Sequence, residues 1–251
     1  MPKPKVAFFD FTCCEGCQLC ALDLTAEQLL DLLAVIDIVE FREAISEKSD
    51  SFDIAIVEGS ITRDSDIPRL EKIRKTANLL ICLGSCSCIV GINALKNFQK
   101  TEELQNEVYP DAPHRYETSV ARAVDEIVKV DAIIPGCPIN TLEFVKVVKN
   151  LVLGKDPDIP TYPVCIECKK KENICVYEKG IHCLGPVIRA GCGAICPEKG
   201  GYCFGCRGLV PDPNLDSMRE IMNKYNMPYD QIDDRFKLFL GRNKEILQDV
   251  Q

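Results

Sequence analysis

The residues with the clearest chemical potential are cysteines, and eight of the sixteen lie in the segment from Cys165 to Cys206. Their spacing is C-x2-C-x6-C-x7-C and then, after eight residues, C-x3-C-x6-C-x2-C. Four closely spaced thiols are the usual ligand set of an iron–sulfur cubane or a tetrahedral zinc ion. Two such sets in succession indicate a path for electrons. The two groups of four are Cys165, Cys168, Cys175 and Cys183, followed by Cys192, Cys196, Cys203 and Cys206.

Zinc is the chemical alternative to iron and sulfur for these thiols. Zinc ribbons usually present two C-x2-C pairs per site, whereas each group here has one such pair and two separated cysteines. Cys196-Pro197 and Cys137-Pro138 also resemble the Cys-Pro ending of ferredoxin-type ligand runs. The spacing favours iron, and a zinc-stapled structural or docking protein stays open.

Composition limits the class of protein. Disulfide frameworks belong to short secreted chains, whereas this chain has 251 residues and begins MPKPKVAFFDF, which does not resemble a signal peptide. We therefore expect reduced thiols and a cytoplasmic location. No apolar run approaches the roughly 18–20 residues of a membrane-spanning helix. The formal net charge of −8 argues against a nucleic-acid binder.

The first half of the chain alternates between predicted strands and helices. Apolar runs predict strands at residues 5–11, 35–41, 52–57, 79–83 and 130–134. Apolar residues at helical spacing predict helices up to about residue 33 and at residues 67–76, 118–129 and 141–153. The polar residues 96–117 are expected to be mostly loop. This alternation predicts a doubly wound, mainly parallel sheet with helices on both faces.

Four further cysteines follow strands of this predicted sheet. They are Cys14 and Cys17 after the first strand, Cys86 after residues 79–83, and Cys137 after residues 130–134. Ligands of such sheets bind at the carboxyl ends of the strands, so these thiols are expected to form a third site at one edge. Gly16, Gly84 and Gly136 beside them would let the backbone approach a bulky cofactor. Taken singly, each cysteine has an ordinary interpretation as a small buried residue.

The composition changes near residue 156, where a proline-rich run begins. Residues 165–206 contain no segment long enough for a core helix, so we expect metal coordination, rather than a hydrophobic core, to order them. Helices are predicted at residues 215–224 and 229–246, packing over the cysteine-rich region. We therefore expect two domains, residues 1–155 with the sheet and residues 156–251 with the eight-cysteine segment.

Over its whole length the chain resembles the small, electron-transferring subunit of nickel–iron hydrogenases, of the sulfhydrogenase delta, NAD(P)-linked or methyl-viologen-reducing kind. FTCCEGCQL is similar to the N-terminal cluster motif of that family, and Pro135-Gly136-Cys137-Pro138 to its GCP motif. Gly84-Ser85-Cys86 with Gly91 is similar to its glycine–cysteine motif, and CLGPVIRAGCGAICPEKGGYCFGCRG to its C-terminal cluster segment. The resemblance implies a flavodoxin-like doubly wound parallel sheet, followed by an irregular iron–sulfur domain with terminal helices.

The resemblance also implies three [4Fe–4S] clusters. The implied ligands are Cys14, Cys17, Cys86 and Cys137 for a proximal cluster, Cys192, Cys196, Cys203 and Cys206 for a medial cluster, and Cys165, Cys168, Cys175 and Cys183 for a distal cluster. Periplasmic relatives have a proline at the position of Cys196, which leaves a three-iron medial cluster, and a histidine at the position of Cys165. Both positions are cysteine here, so three four-iron clusters are expected.

Four cysteines stand outside these sets. Cys82 lies within an apolar strand and is expected to pack there. Cys13, Cys20 and Cys88 are expected beside the proximal cluster, where an extra thiol could alter its redox behaviour, although packing is the ordinary interpretation. Cys13 also stands where periplasmic relatives have a glutamate.

The function implied by the resemblance is conduction. The C-terminal C-x2-C pair that holds nickel in the large subunit is missing here, and neither G-x-G-x-x-G nor a P-loop is present, so no catalytic residue and no nucleotide site are expected in this chain. Electrons would pass between the H2-activating site of a large subunit and a flavin or iron–sulfur partner. The rival interpretations are the zinc-stapled protein and a quinone-linked, complex I-like subunit, which lacks the eight-cysteine extension.

Overall fold

The computed structural model describes residues 2–112, 116–226 and 229–243. The chain divides into two compact units, Met1–Ile159 and Pro160–Gln251. Among the described residues, no helix has the length and apolar character that a membrane crossing requires.

A five-stranded parallel sheet forms the centre of the first unit. Its strands are β1 (Lys5–Asp10), β2 (Asp37–Glu40), β3 (Ile54–Glu58), β4 (Leu79–Leu83) and β5 (Ala132–Ile134). Their order in the sheet is β2-β1-β3-β4-β5, and every neighbouring pair is parallel. This is the flavodoxin-like order, so the expected doubly wound α/β fold is confirmed.

Helices pack on both faces of the sheet. The helices of the first unit are α1 (Gly16–Leu22), α2 (Ala26–Leu33), α3 (Ile67–Thr76), α4 (Gly84–Ile89), α5 (Thr101–Val108), which buries none of its residues, and α6 (Thr141–Val152). Val6 and Phe8 of β1 pack in one apolar cluster with α6, whereas the intervening Ala7 and Phe9 pack in a second cluster with α3. Because successive strand residues point to opposite faces, a strand buried on both sides must be apolar throughout.

Two predictions for the first unit were wrong. Residues 96–117, expected as loop, contain α5, and residues 118–129, expected as a helix, contain only the 3-10 turn Val124–Glu126. The backbone of this second segment is instead held by a side chain, because the Asn97 amide donates to the Ala121 carbonyl and accepts from the Ala121 N–H, both at 2.8 Å. Arg122 also pairs with Ile61 in an antiparallel bridge. These long-range hydrogen bonds outweigh the helical periodicity of the segment.

The second unit is built from short helices and loops. Its helices are α7 (Val164–Lys170), α8 (Ile195–Glu198), α9 (Leu215–Lys224) and α10 (Tyr229–Leu240). The helix predicted at residues 215–224 is confirmed. The helix predicted at residues 229–246 ends earlier, at Leu240, and the positions after 243 lie outside the described residues.

A hydrophobic core is present in the second unit, contrary to expectation. Met218 and Met222 of α9 pack with Phe236 and Leu240 of α10. The same cluster contains Val164 and residues of the cysteine-rich segment, namely Val176, Tyr177, Cys183, Leu184, Val187, Ile188, Ala194 and Cys203. The expectation failed because the apolar residues of this segment come singly from irregular backbone, without helical or strand periodicity. The prediction that the two terminal helices pack over the cysteine-rich region is confirmed.

Candidate metal centres

Four thiols meet at the carboxyl edge of the sheet in the first unit. Cys14 precedes α1, Cys17 lies in its first turn, Cys86 lies in α4 directly after β4, and Cys137 follows β5. The Cys86 thiol interacts electrostatically with those of Cys137 and Cys14, and Cys17 interacts with Cys137. Cys14 and Cys137 are exposed, whereas Cys17 is buried. The structure therefore brings together the four cysteines that the topology predicted to be neighbours.

Glycines leave the space that these thiols occupy. Gly84 has a φ of +82°, and a Cβ at that position would collide with the Cys17 Sγ. A Cβ on Gly16 would lie 3.3 Å from the Cys14 Sγ. Gly136 has a φ of +145°, and its Cβ would lie 2.7 Å from the Pro138 carbonyl oxygen. At Gly16 and Gly84 the backbone thus leaves room around sulfur atoms that a side chain would fill, which fits a site built for a bulky sulfur-ligated group.

Burial dominates the protonation of these thiols. It raises the pKa of Cys86 to about 12, with a further contribution from the neighbouring Cys137 thiol. Burial also raises the pKa of Cys17, and the carboxylate of Glu58 adds to the shift. A buried thiol resists becoming an unpaired anion, whereas a bound metal supplies the positive charge that stabilises the thiolate. Metal binding at this site would therefore release protons.

The first group of four cysteines in the second unit also comes together. Cys165 and Cys168 lie on α7, Cys175 precedes the 3-10 turn Val176–Lys179, and Cys183 follows in a loop. The Cys165 thiol interacts with those of Cys183, Cys168 and Cys175, and burial raises its pKa to about 12. A Cβ on Gly185 would lie 3.2 Å from the Cys165 Sγ and 3.4 Å from the Cys183 Sγ.

The second group is adjacent to the first. Burial raises the pKa of Cys203, and the thiols of Cys183, Cys206 and Cys192 contribute further. Burial likewise raises the pKa of Cys196, with a contribution from Cys192. The two groups are joined directly, because the Cys203 N–H donates to the Cys183 Sγ at 3.2 Å. The eight cysteines predicted as ligands from their spacing therefore lie in one unit, where their thiols interact within and between the two groups.

Donors around these sulfur atoms suit anionic thiolates. The Asn173 amide donates to the Cys168 Sγ at 3.6 Å. The Glu167 carboxylate, between two cysteines of α7, accepts from the Gly191 N–H at 2.9 Å and so joins α7 to the residue before Cys192. Hydrogen bonds to cluster sulfurs are among the features by which proteins tune iron–sulfur centres.

No three His, Cys, Asp or Glu side chains of residues 2–112, 116–226 and 229–243 are gathered closely enough to hold a single metal ion.

The four remaining cysteines fall into two pairs. The Cys13 thiol interacts with Cys86, and the Cys20 thiol with Cys14, so both lie beside the first-unit site as expected. Cys82 is buried within the sheet, which confirms its packing role. Cys88 packs in the same apolar cluster as Cys82. Its expected place beside the site was therefore wrong, because α4 carries Cys86 and Cys88 two positions apart, on different faces of the helix.

The sequence reasoning missed Glu58. This residue ends β3, is 2% exposed, and accepts hydrogen bonds from the backbone N–H groups of Cys17 and Gln18. The signal was a carboxylate at the end of a central strand, at the edge where the cysteines were already expected.

Comparison with known proteins defines the class. A family model described as the 20 kDa subunit of NADH ubiquinone oxidoreductase matches residues 14–151. Sulfhydrogenase 2 subunit delta of Pyrococcus furiosus is 35% identical, over 94% of this chain and 98% of that protein. A vhu-type subunit of the F420-non-reducing hydrogenase of Methanocaldococcus jannaschii is 32% identical, over 84% of each chain.

A solved structure extends the likeness to the fold. The H2-activated [NiFeSe]-hydrogenase of Dm. baculatum superposes with a TM-score of 0.59 at 15% identity, over 87% of this chain and 98% of that chain. The chain belongs to the family of the 20 kDa subunit of NADH ubiquinone oxidoreductase and, within it, to the hydrogenase subunits of the sulfhydrogenase delta kind. The resemblance drawn from the cysteine motifs is thus confirmed.

Proposed function

We propose that this chain conducts electrons within a nickel–iron hydrogenase through three [4Fe–4S] clusters. The observation that carries the proposal is the proximity of the thiols: Cys14, Cys17, Cys86 and Cys137 interact at the sheet edge, and the cysteines of residues 165–206 interact in the second unit. The proposed ligands are Cys14, Cys17, Cys86 and Cys137 (proximal), Cys192, Cys196, Cys203 and Cys206 (medial), and Cys165, Cys168, Cys175 and Cys183 (distal).

The chain's own residues would hold, shield and tune these groups. When bound, a [4Fe–4S] cluster accepts and releases single electrons. The buried thiols Cys17, Cys183 and Cys203 keep water from part of each group. The N–H of Cys203 and the amide of Asn173 donate to ligand sulfurs and so favour the more negative state of the group beside them.

The exposed side of the proximal site has the features of a surface that binds a partner subunit. Cys14 and Cys137 are exposed, and the nearby helices carry Leu19, 51% exposed, and Leu142, 64% exposed. Solvent-exposed ligands and apolar side chains at one site are typical of a surface that another chain covers. The proposed partner is the nickel-containing large subunit, and a flavin or iron–sulfur subunit would take electrons from the distal cluster.

The cytoplasm is the proposed location. The sixteen cysteines are all free thiols in the structure. A reducing compartment keeps thiols in this state and available to metal.

Metal analysis of the complex purified anaerobically from its native source tests this function. We expect a nickel-containing partner and about twelve irons on this chain. Cys86→Ser is expected to lower the iron content by about one to four irons, while the matched variant Cys82→Ser, on the preceding strand β4, retains all of them. A colourless chain with one zinc per group of four thiols would contradict the proposal and support the zinc-stapled alternative.

The matching family model favours one further candidate, a quinone-linked subunit of the complex I kind, since it covers the first unit. The cysteine-rich second unit counts against it. Reduction of a viologen dye by H2 in the purified complex supports the hydrogenase. A complex that reduces quinone and is inert to H2 would support the alternative.

A further inference from the structure

Glu58 is an unusual residue for the edge of a sheet, because it is acidic, only 2% exposed and hydrogen-bonded to the backbone of Cys17. Its Oε1 accepts from the Cys17 N–H at 3.1 Å and its Oε2 from the Gln18 N–H at 3.0 Å. A buried carboxylate is costly unless hydrogen bonds compensate for the lost water. Here each oxygen has one backbone donor, and both donors belong to the first turn of α1.

The start of α1 needs an external partner. The residue before the helix, Glu15, has a φ of 62° and makes no side-chain capping hydrogen bond. The first N–H groups of a helix have no acceptor within the helix and must find one elsewhere. Glu58 supplies that acceptor from β3, and in doing so it fixes the backbone of Cys17 against the sheet.

The contacts of Glu58 also indicate its charge. Both of its oxygens accept from backbone N–H groups, and this arrangement stabilises the ionised carboxylate. Glu58 therefore places a negative charge next to Cys17.

We propose that Glu58 is a positioning residue for the proximal site, which clamps the first turn of α1 by accepting hydrogen bonds from the Cys17 and Gln18 N–H groups and places a negative charge beside the four thiols. This inference rests on the proposed function, since it assumes a cluster at these four cysteines. A negative charge beside an anionic cluster disfavours the added electron, so Glu58 holds the potential of the proximal cluster low.

Two substitutions separate the clamp from the charge. Glu58→Gln keeps the size of the side chain but removes the charge and turns an N–H donor toward a backbone N–H. Glu58→Asp keeps the charge, but its shorter side chain reaches only one of the two donors. The matched control is Glu40→Gln, because Glu40 ends β2 and its Oε2 accepts from the Ser49 N–H at 3.2 Å. Glu40 therefore has the same type of contact away from the thiols.

The readouts are iron content, the proximal cluster's spectrum and its midpoint potential, in the full chain with its partner. The proximal wave is assigned by its loss in Cys137→Ser. In Glu58→Gln we expect a loss of up to about four irons per chain, and a positive shift of the proximal midpoint in the protein that retains them. Glu58→Asp is expected to lose iron with no positive shift, and Glu40→Gln to match the wild type in both.

Iron content and potential equal to the wild type in both Glu58 variants would overturn the proposal. If Glu58→Gln does not accumulate, the iron content of Glu58→Asp alone tests the proposal. If neither variant folds, Glu58 stabilises the sheet and the positioning role is overturned.

Amide hydrogen exchange separates this failure from a failure of the proposed function. In the metal-free chain, the Cys17 and Gln18 amides are expected to exchange roughly tenfold or more faster in Glu58→Gln than in the wild type. If the wild-type complex is purified without iron but the two metal-free chains show this difference in exchange rate, the proposed cluster is refuted and the clamp is retained. Equal exchange rates would overturn the clamp.

Discussion

The thiol of Cys88 donates to the backbone carbonyl of Cys82 at 3.6 Å, inside the apolar cluster on one face of the sheet. These two cysteines thus interact with each other rather than with a metal site. Closeness in sequence to a ligand therefore does not place a thiol at the site. The direction of the side chain on α4 decides whether it lies at the site, as Cys86 does, or in the core, as Cys88 does.

Cys88→Ser is expected to leave the iron content and the proximal potential unchanged. It places a hydroxyl in an apolar cluster, so the free energy of unfolding should fall by about 1–2 kcal/mol. Urea unfolding of the metal-free chain, together with redox titration of the complex, checks both halves. A shifted proximal wave in this variant would contradict the assignment of Cys88 to the core.

Cys13→Ser is expected to shift the proximal potential to a more positive value. Cys13 interacts with the ligand Cys86, and burial raises its pKa to about 12, so near neutral pH it is an uncharged thiol. A serine hydroxyl is a stronger hydrogen-bond donor than a thiol and would stabilise the reduced, more negative cluster. Redox titration measures the shift, with Cys88→Ser as the control. Equal proximal midpoint potentials in Cys13→Ser and Cys88→Ser would contradict this prediction.

Gly84→Ala is expected to abolish the proximal cluster. The new methyl group would collide with the Cys17 Sγ, and the φ of +82° adds backbone strain. Gly154→Ala is the matched control, because Gly154 has a φ of +67° but nothing within 4 Å of its would-be Cβ. Both variants should lose about 1 kcal/mol or more of stability from strain, whereas only Gly84→Ala should lose about four irons. Full iron content in Gly84→Ala would contradict the proposed binding of a cluster beside Gly84 and Cys17.

Cys196→Ala is expected to convert the medial cluster to a three-iron form. Removing one of four thiolates leaves one iron without a protein ligand, so the iron content should fall by about one per chain. Electron paramagnetic resonance of the oxidised complex would detect the three-iron cluster. Cys20→Ala, outside the three groups, serves as the control and should keep the wild-type iron content and spectrum.

The stability of the metal-free chain is expected to decrease as pH rises above 9. Burial raises the pKa of Cys86 and Cys165 from the ordinary value of 9.0 to about 12. Below pH 9 these thiols are protonated whether the chain is folded or not, so their contribution to the free energy of unfolding is fully present. Between pH 9 and about 12 the unfolded chain releases protons that the folded chain retains, which favours unfolding by up to about 1.4 kcal/mol per pH unit for each thiol.

Urea unfolding of the metal-free chain between pH 7 and 11 measures this slope. Cys86→Ser and Cys165→Ser should each make it shallower. A slope equal to that of the wild type in both variants would contradict the role of burial.

The sheet was predictable because each strand is a short apolar run, and a strand covered on both faces has few alternatives. The convergence of Cys14, Cys17, Cys86 and Cys137 followed from the topology alone. The hydrogen bonds of Asn97 with Ala121 and of Glu58 with Cys17 were not predictable, because they join residues that are distant in sequence. Local periodicity contains no signal for such pairs, so the segment around residue 121 was assigned to a helix and Glu58 was overlooked.

The hydrophobic core of the second unit changes what loss of its metal would mean. Phe236, Leu240 and the methionines of α9 pack with the loops that carry the cysteines. We therefore expect a chain stripped of iron by oxidation to retain the template for its clusters. Such a chain would be a substrate for repair by reassembly of the clusters in place, without new synthesis of the polypeptide.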